Sequence, residues 1–122
     1  MYPRSRIASL TEMIETLLAT PPETLGDFVV RYPTAHGVYV ITDPTDAQVV
    51  YVGRSISARD GLGQRIYDHI YNHESSDLNQ KLGGDRELTR RHMIRVVEIS
   101  NFDLRRFAEH FGIAILQPIL NR

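Results

Sequence analysis

The chain has 122 residues, with 14 basic and 15 acidic side chains, a formal net charge of −1 and no cysteine. That length suits one domain with a real core, burying roughly two-thirds of the surface exposed on unfolding. The composition excludes disulfides, thiolate metal sites and cysteine nucleophiles, and no apolar run approaches the roughly 20 residues of a membrane span.

Ser9-Leu10-Thr11-Glu12 matches a capping box, and Leu10, Met13, Ile14, Leu17 and Leu18 follow at helical spacing. Pro21-Pro22 stops that helix, and a short second helical piece is expected around Glu23–Val30, ended by Pro33. Residues 1–35 thus read as a helical extension packed on the core that follows. Two β-branched runs, at about 37–42 and 48–53, flank the turn-forming stretch Asp43-Pro44-Thr45-Asp46-Ala47-Gln48 and predict a hairpin. Folded about residues 45 and 46, it brings Tyr39 and Tyr51 nearly opposite each other on one face. Ser55–Gly63 is polar and leads into a helix through about Asn72, whose buried stripe is Leu62, Ile66 and Ile70. Glu74–Leu88 reads as a loop plus a short helix, with Gly83-Gly84 a breaker. Met93–Ile99 is nearly continuously apolar, so a central strand is expected. Asn101 or Asp103 caps a final helix with Leu104, Phe107, Ala108, Phe111 and Ile115 on its core face. Pro118 ends it, and Ile119-Leu120 packs back.

Charge is unevenly spread. Residues 1–53 hold three arginines against six acids, whereas 54–122 hold eleven basic residues against nine acids and four of the five histidines. Thirteen of the fourteen basic residues are arginine, whose planar fork suits phosphate, although genomic base composition gives the same bias. Weak, salt-sensitive binding to a polyanion is allowed by this balance and not demanded by it.

Three positions carry candidate chemistry. Arg65 and His69 lie four apart on one side of a helix, where the arginine can clamp a phosphate and the histidine can hold a water or a hydroxyl. Taken alone, such a pair is more often just a solvated helix flank. Glu109 reads either as a surface carboxylate paired with Arg105 or Arg106, or as a single carboxylate ligand for a hard cation.

The ordered series resembles the GIY-YIG nuclease superfamily: Gly37-Val38-Tyr39, then Tyr51-Val52-Gly53, then Arg65 in Gly61-Leu62-Gly63-Gln64-Arg65 followed by His69, then Glu109 through Leu116, Pro118 and Asn121. The resemblance covers residues 36–122, about 70% of the chain. It implies a small α+β nuclease domain with a three-stranded antiparallel sheet flanked by helices, here with an extra N-terminal helix. Two departures stand out: the segment from Gly53 to Arg65 is longer than in compact members, and Arg54 stands where many relatives have lysine. Tyr67 and Tyr71 match no family position and read as packing residues or a base-stacking pair.

The activity implied is metal-dependent hydrolysis of DNA phosphodiester bonds, with RNA as the other polymer of that chemistry. By the resemblance, Glu109 holds one Mg²⁺ or Mn²⁺ and Arg65 neutralises charge on the phosphate. Tyr39 is the first choice for general base, favoured as phenolate by Arg65 and Arg54, with His69 relaying the proton; Tyr51 is the alternative. Arg54 and Asn121 are assigned to substrate binding, Asn121 more as a tie for the chain end. A cytoplasmic setting is the expectation. The competing readings are a catalytically silent or partner-dependent nucleic-acid-binding module on the same fold, and an interaction protein whose N-terminal helix forms a homodimer.

Overall fold

The computed structural model describes residues 4–56, 59–72, 76 and 78–121, with side chains from residue 8 onward. Along the chain run α1 (Arg4–Ala19), β1 (Glu23–Thr24), α2 (Leu25–Arg31), β2 (Gly37–Thr42), β3 (Val49–Arg54), α3 (Leu62–Tyr71), α4 (Leu78–Lys81), α5 (Arg86–Arg91), β4 (Met93–Glu98), α6 (Phe102–Leu116) and a 3-10 turn at Ile119–Asn121. The result is an α+β fold: one antiparallel sheet in the order β1-β4-β2-β3, with six α-helices among the described residues. No helix among them is long and apolar enough to cross a membrane.

Both faces of the sheet are covered, which is why β2 is buried at all six positions. Tyr39 and Ile41 point to one face, against Leu25 and Phe28 of α2 and Leu62, Ile66 and Ile70 of α3. Val38, Val40 and Val52 point to the other, against Leu10, Ile14 and Leu17 of α1 and Ala108 of α6.

The sheet has four strands where three were expected. β1 is only two residues long, pairing Glu23 with Ile94 and Thr24 with Met93. The helix expected from Glu23 therefore begins at Leu25, where Thr24 Oγ1 accepts the Asp27 N–H at 3.1 Å. β2, rather than β4, is the strand flanked along its full length; β4 has a strand on its outer side only at Met93 and Ile94.

α1 begins at Arg4, so Ser9-Leu10-Thr11-Glu12 lies inside the helix rather than at its start; Ser9, Thr11 and Glu12 are exposed around the buried Leu10. Leu18 is exposed too, because the buried stripe runs through Leu10, Ile14 and Leu17. At the other end of the chain, Asn101 Oδ1 caps α6 by accepting the Leu104 N–H at 2.9 Å. Its stripe runs through Ala108 and Gly112, where an added Cβ would sit 3.2 Å from Val52 and 3.3 Å from Ile14. That close approach turns Ile115, expected in the core, out to solvent. The segments expected at 55–63 and 74–88 contain residues 57, 58, 74, 75 and 77, which lie outside the described residues.

Candidate functional site

The site begins with an irregularity in the hairpin. Asp43 closes the turn: its carboxylate accepts the Thr45 N–H at 2.7 Å and its own N–H donates to Gln48 O at 2.9 Å. The ladder starts with Thr42 opposite Val49, and continued in that register it would set Tyr51 opposite Val40, on the face away from Tyr39. A β-bulge intervenes, so Ile41 pairs with Tyr51 and Tyr39 with Gly53. The two tyrosines therefore share a face, but as diagonal neighbours rather than directly opposite. Their rings stack with centroids 6.3 Å apart and planes at 25°.

Gly53 is what lets the Tyr39 ring lie flat across β3. A Cβ there would stand 2.4 Å from the Tyr39 hydroxyl and 2.8 Å from the Tyr51 ring. Tyr39 is wholly buried, whereas Tyr51 is partly open to solvent.

α3 supplies the next two groups, four residues apart on the face that meets the sheet. The Arg65 guanidinium donates to the hydroxyls of both Tyr39 and Tyr51. Burial alone would lower its pKa, but the two phenols raise it overall. His69, fully buried, packs edge-on against both tyrosine rings and places Nε2 2.5 Å from the Tyr39 hydroxyl. Its Nδ1 lies 2.5 Å from Ser76 Oγ, which also accepts the Leu78 N–H at 3.3 Å.

Burial, and then the Arg65 charge, holds His69 well below its ordinary 6.5. Burial, followed by the neighbouring Tyr51, pushes Tyr39 well above its ordinary 10.0; Glu109 adds to the rise and Arg65 opposes it. The expectation that cations favour the Tyr39 phenolate thus gives way to desolvation. Near neutrality Tyr39 keeps its proton and His69 is uncharged. With Arg65 donating to the Tyr39 oxygen, the phenol proton points to Nε2, which assigns the remaining imidazole proton to Nδ1 and its bond to Ser76.

Glu109 comes from α6, its side chain 17% exposed. It pairs with neither Arg105 nor Arg106: Arg105 Nη1 donates to the carbonyls of Ile99 and Ser100, and Arg106 lies 3.7 Å from Asp103. Its partner is Arg54, whose Nε donates to Oε1 at 3.2 Å. His110 Nε2 lies 3.8 Å from the same oxygen. Arg54 therefore acts in this arrangement as the clamp on Glu109. Asn121 sits behind the site: its side-chain amide accepts from Val52 N and donates to Val52 O, both at 2.8 Å, closing the outer edge of β3.

A single divalent ion fits this donor set. Arg54 Nε and His110 Nε2 both approach Oε1 of Glu109, so Oε2 is the oxygen a cation would take. Among the described residues, no group of three or more His, Cys, Asp or Glu side chains forms a cage. Mg²⁺ tolerates such a site because it keeps several waters and shares one carboxylate with a substrate phosphate.

Sequence reasoning missed Ser76, which fixes the orientation of His69, and the pair Phe102 and Arg105 beside Arg54. A serine in a polar loop and an arginine in a helix carry no local signal of either role. Comparisons with protein-family models and with curated protein sequences find no match.

Proposed function

We propose that the protein is a divalent-metal-dependent endonuclease that hydrolyses DNA phosphodiester bonds, with residues 36–122 forming a GIY-YIG-type domain. The observation that carries this reading is the convergence of Tyr39, Tyr51, Arg65, His69 and Glu109 from β2, β3, α3 and α6 into one electrostatically linked cluster.

In this reading Tyr51, the more accessible phenol, faces the attacking water and takes its proton in the phenolate form that Arg65 stabilises. The water oxygen bonds to phosphorus, the bond from phosphorus to the 3′-oxygen breaks, and the departing 3′-oxygen takes a proton from solvent, giving a 5′-phosphate and a 3′-hydroxyl. Arg65 also donates to the phosphate oxygens as charge builds on them. Tyr39, His69 and Ser76 are positioning residues that fix Arg65 from behind. Glu109 would hold Mg²⁺ or Mn²⁺, which when bound would supply Lewis-acid stabilisation of the charge that develops in the reaction.

The Arg54–Glu109 pair favours a second reading, a nucleic-acid-binding module that does not cut, because the arginine competes with a cation for the carboxylate. Incubation with plasmid and oligonucleotide DNA decides between them. Cleavage that requires Mg²⁺ or Mn²⁺ and stops with chelator supports the enzyme; chelator-insensitive cleavage refutes the proposed chemistry; metal-independent binding without cleavage supports the module.

A further inference from the structure

Phe102 opens α6 and is 47% exposed, although two arginines stand against its ring. The guanidinium carbons of Arg54 and Arg105 each lie 5.5 Å from its ring centroid. Neither arginine is loose. Arg54 is tied to Glu109, and Arg105 is 3% exposed and holds the carbonyls of Ile99 and Ser100. The ring is therefore held by two fixed cations on a residue that stays open to solvent.

Position makes this ring informative. Phe102 and Glu109 are seven residues apart, two turns of α6, and so lie on the same side of the helix, about 10 Å apart along its axis. That is about three stacked base steps of 3.4 Å. Arg54 bridges the two, touching the carboxylate with Nε and the ring with its guanidinium face. An exposed aromatic ring flanked by fixed positive charge matches what a DNA strand presents, a flat π-surface beside a phosphate.

Building on the nuclease reading, we infer that Phe102 is a base-stacking residue that seats one nucleobase of the DNA strand within about three nucleotides of the phosphate held at Glu109. Arg54 and Arg105 orient the ring and offset the charge of the adjoining backbone. The site thus has a positional preference along the strand that Arg65 and the tyrosines, which meet only the phosphate, do not provide.

The chain has no tryptophan, so Phe102→Trp creates a single fluorescent reporter. Its emission is expected to be quenched saturably by short DNA oligonucleotides in the presence of chelator, whereas Ile115→Trp, exposed near the far end of α6 and off the Glu109 side, is not. Phe102→Ala is expected to weaken binding roughly tenfold with its melting temperature retained, and Phe102→Leu to behave as the alanine variant because it lacks a π-face. A scan of abasic positions along the strand should find one where Phe102→Ala costs nothing further. If DNA binds and Mg²⁺-dependent cleavage persists but the reporter is silent, or the loss in Phe102→Ala is equal at every abasic position, stacking is overturned and the nuclease reading stands. If DNA is neither bound nor cut, both fall.

Discussion

Replacing Gly53 with alanine tests the architecture of the site at its tightest point. The new methyl would lie 2.4 Å from the Tyr39 hydroxyl, 2.6 Å from the ring carbon that bears it and 2.8 Å from the Tyr51 ring, against about 3.4 Å for ordinary contact. Relief needs a movement of about 1 Å by a ring that has no free space: Tyr39 is 0% exposed and its hydroxyl is held 2.5 Å from His69. Overpacking of this kind costs about 1–3 kcal/mol. Losing the Tyr39–His69 bond leaves two buried polar groups unsatisfied, for about another 1–3 kcal/mol. Removing a strand glycine returns only about 0.5–1 kcal/mol. The net destabilisation is about 1–5 kcal/mol, which for a chain of this size lowers the melting temperature by roughly 5–20 °C. Gly112→Ala is the control, since its Cβ meets only the ends of Val52 and Ile14 at 3.2 and 3.3 Å and the helix gains from alanine. Circular-dichroism melts of both variants, with cleavage rates measured well below each melting point, read the result. A Gly53→Ala protein that melts and cleaves like the wild type would refute the placement of Tyr39 over Gly53.

Ser76→Ala removes the only group that orients His69 at Nδ1 among the described residues; the expected outcome is a loss of about 1–3 kcal/mol in urea denaturation and a lower kcat with KM little changed. His69 is held below 6.5 in the folded protein, so the unfolded chain takes up the proton first and stability declines as pH falls below about 6.5. Tyr39 is held above 10, so stability also declines as pH rises beyond about 10. Urea midpoints across pH should show both limbs, and His69→Gln should flatten the acid limb alone; an unchanged acid limb would remove His69 as its cause. Asn121→Ala deletes two 2.8 Å bonds to Val52, and amide exchange in β3 should speed up with a loss of about 1–3 kcal/mol.

Much of the fold was legible because its signals are local. The apolar spacing of Leu62, Ile66 and Ile70, the cap at Asn101 and the prolines at 21, 22 and 118 each act within one helix and its neighbours. What escaped prediction depends on contacts between distant segments. β1 forms only because Met93 and Ile94 offer it partners, and two residues carry no periodicity to read. The capping-box pattern at Ser9 was satisfied by chance inside a longer helix. The hairpin register turned on one bulged residue, which no turn rule applied to Asp43–Gln48 foretells, yet it decides which face Tyr51 occupies. For the candidate site, the residue types were readable from their order, while their protonation was not. Charge counting favoured a phenolate at Tyr39; burial by α3, visible only in three dimensions, reverses it. Arg54 was likewise legible as a cation but not as the partner of Glu109, 55 residues away.

Whether Glu109 serves phosphodiester cleavage is read by supercoiled-plasmid cleavage in Mg²⁺ with the wild type and Glu109→Gln side by side. Glutamine keeps the acceptor that Arg54 needs but removes the charge a cation requires. Mg²⁺-dependent nicking by the wild type is expected, with a rate about a hundredfold or more lower in the variant and DNA binding retained. Equal cleavage by the two proteins would contradict it.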